Sequence, residues 1–432
     1  RHIPIKPDNH ITTMNQLEIV RTLISLQWGE DLGQQIYGAL QGGVVELLIK
    51  KANIPQNSNY YKNILDGHSF KVEPDNLSNY WNIFQEVKET TGFDEPIDFY
   101  ITGDATINAY CIPSEKEGRS HILNINSGLV NIMSDDELRF VIGHEFGHLI
   151  DSSRRIKELI SFVYPQGTNT PLSLVNKIRV WQQLAEISAD RCGYIACRDL
   201  RSCISAFFKM SSGLNFEKMG LNFETFIEEN SRKLKTFSES GGLNLATHPN
   251  NLIRIEALKA FSECGAFHEN GGLSPDELNE RMLPLVNLLG RLSDSDLEYS
   301  IASYAATMGL ILGNMDGTLG EDEANMILNS ISNVHLFPMD ILSEYAKMER
   351  EQIFEICAKS VAGILESHPE MRDGLLDYAV RLALSDNEIS ESEVGFVFDF
   401  GTGSLGFSEQ EVAQHFAAAI QSSFNPSMMS IG

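Results

Sequence analysis

The 432-residue sequence has no run of about 18 or more apolar residues, the length that a membrane-spanning helix needs. Basic residues are also scarce: 33 Lys and Arg stand against 59 Asp and Glu, and the formal net charge is −26. A nucleic-acid-binding protein needs a basic face for the phosphates, and docking on an anionic membrane needs basic residues too. The composition therefore predicts a soluble globular protein that binds no nucleic acid and has no transmembrane segment.

Cysteines are few, and no two are spaced as Cys-x-x-Cys. Small buried side chains in a reducing compartment fit the six cysteines better than a disulfide framework does. We therefore expect a cytoplasmic protein. Because the chain opens on Arg1, we interpret residues 1–13 as a remnant of cloning or of processing. A removed signal peptide would instead place the protein in the periplasm or outside the cell.

Hydrophobic periodicity divides the chain into three predicted parts. Residues 1–66 have apolar side chains at helical spacing, and 67–270 combine helical patterns with three short strand patterns at 97–102, 107–112 and 121–125. After the turn residues Gly271-Gly272, residues 271–432 have helical patterns only. We predict an α+β fold, in which a mainly helical domain with a small mixed sheet is followed by an all-α domain.

One predicted helix carries a pattern of residues suited to metal chemistry. It opens at Ser134 with a Ser-x-x-Glu capping box and contains His144-Glu145-Phe146-Gly147-His148. Histidines four residues apart lie on one face of a helix, where both can bind one metal ion. From its place beside the first histidine, Glu145 can accept a proton from a water activated by zinc. The pattern indicates a hydrolytic zinc site.

A catalytic zinc site needs a third protein ligand and one open position. Glu186 and Asp190 lie four residues apart in a later predicted helix, among small and apolar neighbours. Such a pair of acids is commonly a solvated helix face, but these neighbours favour a buried role. One carboxylate can bind zinc while the other accepts a hydrogen bond from a ligating histidine. The spacing leaves open which acid does which.

These two motifs together resemble the gluzincin metallopeptidases, in particular the HtpX-like and CAAX prenyl protease type. Asn108-Ala109-Tyr110 resembles the family's edge strand, which pairs with substrate backbone, and Thr247-His248-Pro249 with Arg254 resembles a downstream family segment. The resemblance implies a zincin-type peptidase domain at 67–270 with one zinc ion, bound by His144, His148 and Glu186, and with Glu145 as the general base.

The resemblance also implies supporting roles for residues around the metal. Asp190 would orient His144 through a hydrogen bond, and Arg254 would pair with a carboxylate near the site. His248 would stabilise the oxyanion or cover the metal in a latent state, although a His-Pro pair is also a common helix start. Asn108, Ala109 and Tyr110 would bind the substrate.

The C-terminal part contains an internal repeat. Residues 316–323 and 386–393 share the pattern Asp-[Gly/Asn]-x-[Leu/Ile]-x-Glu-x-Glu, and each lies between two helical patterns. The repeat resembles the TerB-like helical domain of tellurite-resistance and stress-response proteins, which implies a sensing domain that binds a regulatory partner. Its acidic loops have oxygen ligands for a cation. Helix capping by Asp and Glu is the simpler interpretation.

The sequence thus predicts a zinc metalloendopeptidase that acts on polypeptides, in protein quality control or a stress response. The alternative is a non-catalytic or latent zinc-binding scaffold, in which His248 closes the metal site as a fourth ligand. A non-peptidase hydrolase on the same metal frame is a third hypothesis. Glu145 favours an enzyme, because a structural zinc site has no use for a carboxylate at that position.

Overall fold

A computed structural model describes residues 14–52, 58–114, 119–151, 153–165, 170, 172–214, 220, 222–239, 249–268, 271–290, 296–315, 320–332, 334–385 and 390–423. These residues fall into two compact units that divide after residue 291. Helix Pro275–Gly290 lies in the first unit, although the sequence analysis places it in the second domain. Compactness does not test independent folding, so the domain boundaries stay predictions.

Helices dominate the described part of the first unit. They are α1 (Gln16–Ile24), α2 (Gln27–Ala39), α3 (Gly42–Ala52), α4 (Ser58–His68), α5 (Ser78–Thr91), α6 (Ser127–Val130), α7 (Asp135–Ile150), α8 (Ser153–Val163), α9 (Leu172–Cys197), α10 (Leu200–Ser212), α11 (Phe223–Glu239), α12 (Asn251–Ser262) and α13 (Pro275–Gly290). The strands are β1 (Ser69–Lys71), β2 (Ile97–Thr102), β3 (Ala109–Ile112) and β4 (His121–Asn126). In the described residues, no helix is long and apolar enough to span a bilayer.

The four strands form one mixed sheet in the order β1-β2-β4-β3. Strands β2 and β4 are parallel, while β1 and β3 run antiparallel to their neighbours. This confirms the predicted mainly helical α+β fold with a small mixed sheet. Strand β1 was not predicted, because three residues are too few to show an alternating pattern. Strand β3 lies at an edge of the sheet, as the sequence analysis expects for residues 108–110.

The start of α7 is fixed by a buried ion pair. The predicted capping box is present: the Glu137 carboxylate accepts from the backbone N–H of Ser134 at 2.6 Å. The same carboxylate accepts from Lys209 Nζ and from Ser205 Oγ, both on α10 and both at 2.6 Å. The side chains of Lys209 and Glu137 are only 6% and 4% exposed. Helix α7 is therefore anchored to α10 at the end where it begins.

Helices α7 and α9 touch through small residues. A Cβ added to Gly147 would lie 2.6 Å from the Cα of Ala189, and one added to Gly143 would lie 2.6 Å from the Cβ of Ala196. From the other side, a Cβ on Gly193 would lie 2.7 Å from the backbone oxygen of Phe140. Contacts this short leave no room for a larger side chain. The histidines of α7 and the acids of α9 therefore face each other across a narrow helix pair.

The described part of the second unit is entirely helical. Its helices are α14 (Asp296–Gly313), α15 (Glu321–Ser332), α16 (Pro338–Tyr345), α17 (Arg350–Ser367), α18 (Arg372–Ala383), α19 (Glu391–Asp399) and α20 (Glu409–Ser423). Their apolar faces enclose one core, which includes Tyr304, Ile327, Val380 and Val397. An all-α second unit agrees with the predicted fold class, and its TerB-like identity stays a prediction.

Both acidic repeats end at the start of a helix. Residues 316–319 and 386–389 lie outside the described residues. The last Glu of each copy is almost fully buried: Glu323 accepts from Gly320 N at 2.7 Å, and Glu393 accepts from Ser390 N at 2.8 Å. These two carboxylates therefore satisfy backbone N–H groups at the starts of α15 and α19. Cation binding by the rest of each loop stays untested.

Candidate metal centre

The three predicted metal ligands come together between α7 and α9. His144 Nε2 and His148 Nε2 are 3.2 Å apart. Glu186 places one carboxylate oxygen 3.3 Å from the nitrogen of His148 and the other 3.6 Å from that of His144. Within the described ranges, these residues form the one group of three His, Cys, Asp or Glu side chains whose ligand atoms lie within 4.8 Å of one another.

The donor set of this group fits zinc. Two imidazole nitrogens and one carboxylate oxygen make up a known catalytic zinc set, which leaves a further coordination position open. Both Nε2 atoms point at each other and at the same carboxylate, an arrangement that a shared cation would satisfy. The site therefore offers three ligands of the right chemistry at the right spacing, on two helices held close together by glycines.

Asp190 holds the far side of the His144 ring. Its Oδ1 lies 2.9 Å from His144 Nδ1. An ionised carboxylate can only accept, so Nδ1 carries the proton and Nε2 keeps a lone pair for a metal. Burial alone would lower the pKa of His144, but the hydrogen bond and charge of Asp190 outweigh burial and raise it. Asp190 thus sets the tautomer of this ligand.

Arg254 of α12 in turn holds Asp190. Its Nε and Nη2 donate to the two carboxylate oxygens at 2.8 and 2.6 Å, which is a bidentate pair. The guanidinium carbon lies 4.6 Å from the ring centroid of Phe207, and Nη2 lies 3.7 Å from Glu186. Although burial would lower the pKa of Arg254, the charge of Asp190 raises it. The sequence analysis expects Arg254 to pair with a carboxylate near the site, and in the structure that carboxylate belongs to Asp190.

The second histidine is held differently. His148 Nδ1 is buried and makes no hydrogen bond to any of the described residues. The orientation of this ring therefore depends on packing and on the contacts of its other nitrogen, Nε2, with His144 and Glu186. The two histidines are therefore held unequally, because an acid and an arginine support His144 but, among the described residues, no such pair supports His148.

A cleft of about 550 Å³ opens above the group. It is lined by His144, Glu145, His148, Glu186 and Arg254, and also by Asn108, Ala109, Tyr110, Cys111 and Pro113. The predicted substrate-binding residues 108–110 thus line the same cleft as the predicted metal ligands. Asn108 lies just before β3, and its carbonyl accepts from Asn126 N at 2.9 Å.

Sequence reasoning missed six of the residues that line the cleft: Cys111, Pro113, Phe140, Val141, Lys157 and Met210. Cys111 lies close to Glu145 in the cleft. Burial, together with the negative charge of Glu145, raises the pKa of the thiol, so Cys111 is uncharged there. Lys157 of α8 and Met210 of α10 also line the cleft. Cys111 directly follows Asn108-Ala109-Tyr110 in the sequence, and Phe140 and Val141 lie about one helical turn before His144, whereas nothing in the sequence marked Lys157 or Met210.

His248 lies outside the described residues, so its predicted role beside the metal stays a prediction. The described chain resumes at Pro249, which is buried, and continues into α12, the helix that carries Arg254.

Comparison with known proteins gives three findings. The model of peptidase family M48 matches residues 82–168, which include β2, β3, β4 and α7. The plastoglobule-localized metallopeptidase 48, chloroplastic, of Arabidopsis thaliana is 23% identical over 238 residues, which are 52% of this chain and 65% of that protein. The protease HtpX homolog of Thermoplasma volcanium is 38% identical over 79 residues, 18% of this chain and 25% of that protein.

The chain spans less than two thirds of the length of either relative. No solved structure gives a significant match. The region that matches the M48 model contains both histidines of the metal group and Glu145, but it ends before Glu186. The chain therefore carries a region homologous to the M48 metallopeptidases, and that region holds the His144-Glu145-x-x-His148 motif.

Proposed function

We propose that this protein is a zinc-dependent metalloendopeptidase of the gluzincin type. The observation that carries the proposal is the convergence of His144, His148 and Glu186, whose side-chain nitrogen and oxygen atoms lie 3.2–3.6 Å from one another, with Asp190 behind the first histidine. Glu145 lies beside that group in the same cleft. The similarity to M48 metallopeptidases supports the same activity.

In this proposal each side chain has one task. Zinc, when bound by His144, His148 and Glu186, would polarise the scissile carbonyl and lower the pKa of the attacking water. Glu145 accepts the proton of that water and delivers it to the departing amide nitrogen.

Strand β3 gives the cleft a means to hold a polypeptide. It pairs with β4 along one side only, so its other side has unpaired backbone N–H and C=O groups. An extended chain can add to such an edge by main-chain hydrogen bonds. Because Ala109, Tyr110 and Cys111 of this edge line the cleft, a chain bound there would cross in front of Glu145.

The first test is metal content and its removal. Protein purified without chelator is expected to contain about one zinc per chain and to cleave unfolded casein. Removing the metal with a chelator should abolish cleavage, and adding one equivalent of zinc should restore it. Elemental analysis and casein cleavage on the same samples are the measurements. Protein that never saw chelator and holds no zinc would contradict the proposal.

Zinc bound without cleavage would support the latent scaffold, with the site closed by a segment such as that around His248. A His248→Ala variant then distinguishes a latent peptidase from a purely structural zinc site. It should gain activity if that segment covers the metal, and it should stay inactive if the site is purely structural.

A second prediction concerns Asp190. We expect Asp190→Asn to weaken zinc binding by about 10–100-fold, because an amide is a poorer acceptor for His144 Nδ1 and a weaker partner for Arg254. Competition with a chromophoric chelator measures the affinity. Asp199→Asn is the matched control, since Asp199 caps α10 away from the metal and should leave zinc affinity unchanged. If wild type and Asp190→Asn bind zinc with equal affinity, the proposal that Asp190 orients His144 is wrong.

The biological setting rests on the helical repeat. We propose that the second unit is a TerB-like domain through which a regulatory partner controls the peptidase, in protein quality control or a stress response. The all-helical architecture and the repeated capping of α15 and α19 support this assignment. A cytoplasmic location fits the unpaired cysteines.

A further inference from the structure

Helix α3 exposes an apolar stripe. Val44, Leu47 and Leu48 lie on one face of the helix and are 47–56% exposed, while Val45 packs inward. Positions i, i+3 and i+4 of a globular helix normally point to the core. Here that pattern points to solvent, which implies that something covers the stripe when the protein functions.

The next helix repeats the feature. Tyr60, Tyr61 and Ile64 of α4 are 38–64% exposed, and the two tyrosine rings contact each other at 5.8 Å. The five residues between α3 and α4 limit the distance between the end of one helix and the start of the other to about 20 Å. We call the six exposed side chains of these two helices the α3–α4 surface.

This concentration is peculiar to one part of the chain. Of the 15 exposed large hydrophobic side chains among the described residues, seven lie between Val44 and Phe70. The others are scattered singly, which is ordinary for a protein surface. A cluster on two consecutive helices is characteristic of an interaction site.

The sequence around the surface is less acidic than the whole chain. Residues 47–65 contain three lysines and no Asp or Glu, whereas the chain carries −26. The flanking acids are the half-exposed Glu46, which binds Arg155 and Tyr37, and the exposed Asp66, which accepts from Tyr100 Oη at 2.6 Å, while Lys62 pairs with Asp98. Lys50 and Lys51 remain exposed at the end of the apolar stripe.

We propose that the α3–α4 surface binds a lipid membrane. Exposed aliphatic side chains, tyrosines and flanking lysines on helices are the combination that lies in the membrane interface, with the rings and ammonium groups at the level of the headgroups. The stripe lies on the outer face of a helix, which suits a lipid surface. The whole-chain charge argues against an anionic membrane, but the local charge of this segment does not.

The surface lies beside the metal cleft. Tyr61 is close enough to Tyr110, which lines that cleft, to raise its pKa further beyond the effect of burial. On the other side α3 packs on α8, whose Lys157 also lines the cleft. Docking through α3 and α4 would therefore bring the cleft to the membrane surface.

The test is co-sedimentation of the full chain with lipid vesicles, with and without one third phosphatidylglycerol in phosphatidylcholine. The variant carries Val44→Ser, Leu47→Ser and Leu48→Ser, and the control carries Leu283→Ser, Met339→Ser and Ile420→Ser at equally exposed apolar sites. We expect the wild type and the control to bind vesicles, and the α3 variant to bind at least about tenfold more weakly.

Zinc content and circular dichroism confirm that each variant is folded, so lost binding cannot come from misfolding. Wild type that fails to bind either vesicle, or an α3 variant that binds as wild type does, would overturn the proposal. Two other results would also overturn it, because they would give the α3–α4 surface a different role. One is self-association of the wild type that the α3 variant loses, and the other is slower casein cleavage by that variant in lipid-free buffer.

Discussion

Glu145→Gln is expected to lower the rate of casein cleavage by about 10²–10⁴-fold while zinc content stays at the wild-type level. Glutamine has nearly the same shape as glutamate but cannot accept the proton of the attacking water. His144 and His148 keep their positions because α7 and α9 are unchanged, so the metal is retained. Steady-state cleavage and elemental analysis of the same preparation measure the two quantities.

Glu186→Gln is the matched control, since it makes the same chemical change at a proposed metal ligand instead of at the proposed general base. This variant should lose zinc and activity together, whereas Glu145→Gln loses activity alone. If Glu145→Gln cleaves casein as fast as wild type, the general base is another group. If it loses its zinc, Glu145 is a ligand and not a base.

Lys209→Met is expected to lower the free energy of unfolding of the first unit by roughly 3–5 kcal/mol, because it leaves the Glu137 carboxylate buried without its cation. Methionine fills a similar volume, so packing changes little. The remaining hydrogen bonds from Ser134 and Ser205 compensate only in part. Urea unfolding, followed by circular dichroism, measures the change.

Two further variants make the Lys209 prediction specific. Lys259→Met removes a lysine from a partly exposed pair with Glu256 and should cost no more than about 1 kcal/mol. Adding Glu137→Gln to Lys209→Met removes the stranded charge and should recover part of the lost stability. A Lys209→Met protein within about 1 kcal/mol of wild type would mean that water reaches Glu137.

The sequence was most informative where chemistry depends on local geometry. Four-residue spacing on a helix does not need the rest of the fold, so the shared faces of His144 with His148 and of Glu186 with Asp190 could be predicted directly. The structure then places the two pairs against each other. It also puts Asp190 at the Nδ1 of His144 and Glu186 near the Nε2 atoms, which supports the proposed division of roles that spacing left open.

Contacts between distant segments could not be read in the same way. Nothing in the sequence pairs Lys209 with Glu137, or Arg254 with Asp190 in preference to Glu186, because each pairing depends on how whole helices pack. The outward direction of the α3 stripe was hidden for the same reason. Periodicity shows that a helix has an apolar face, but it does not show whether another part of the molecule covers that face.

The glycine contacts between α7 and α9 have a consequence for how the cleft can move. The backbones of the two helices already touch at Gly147, so they can neither approach further nor slide without collision. The metal group therefore has no hinge of its own. In the proposed peptidase, adaptation to different substrates would come from the rim, where β3, Lys157 and Met210 line the cleft around a rigid centre.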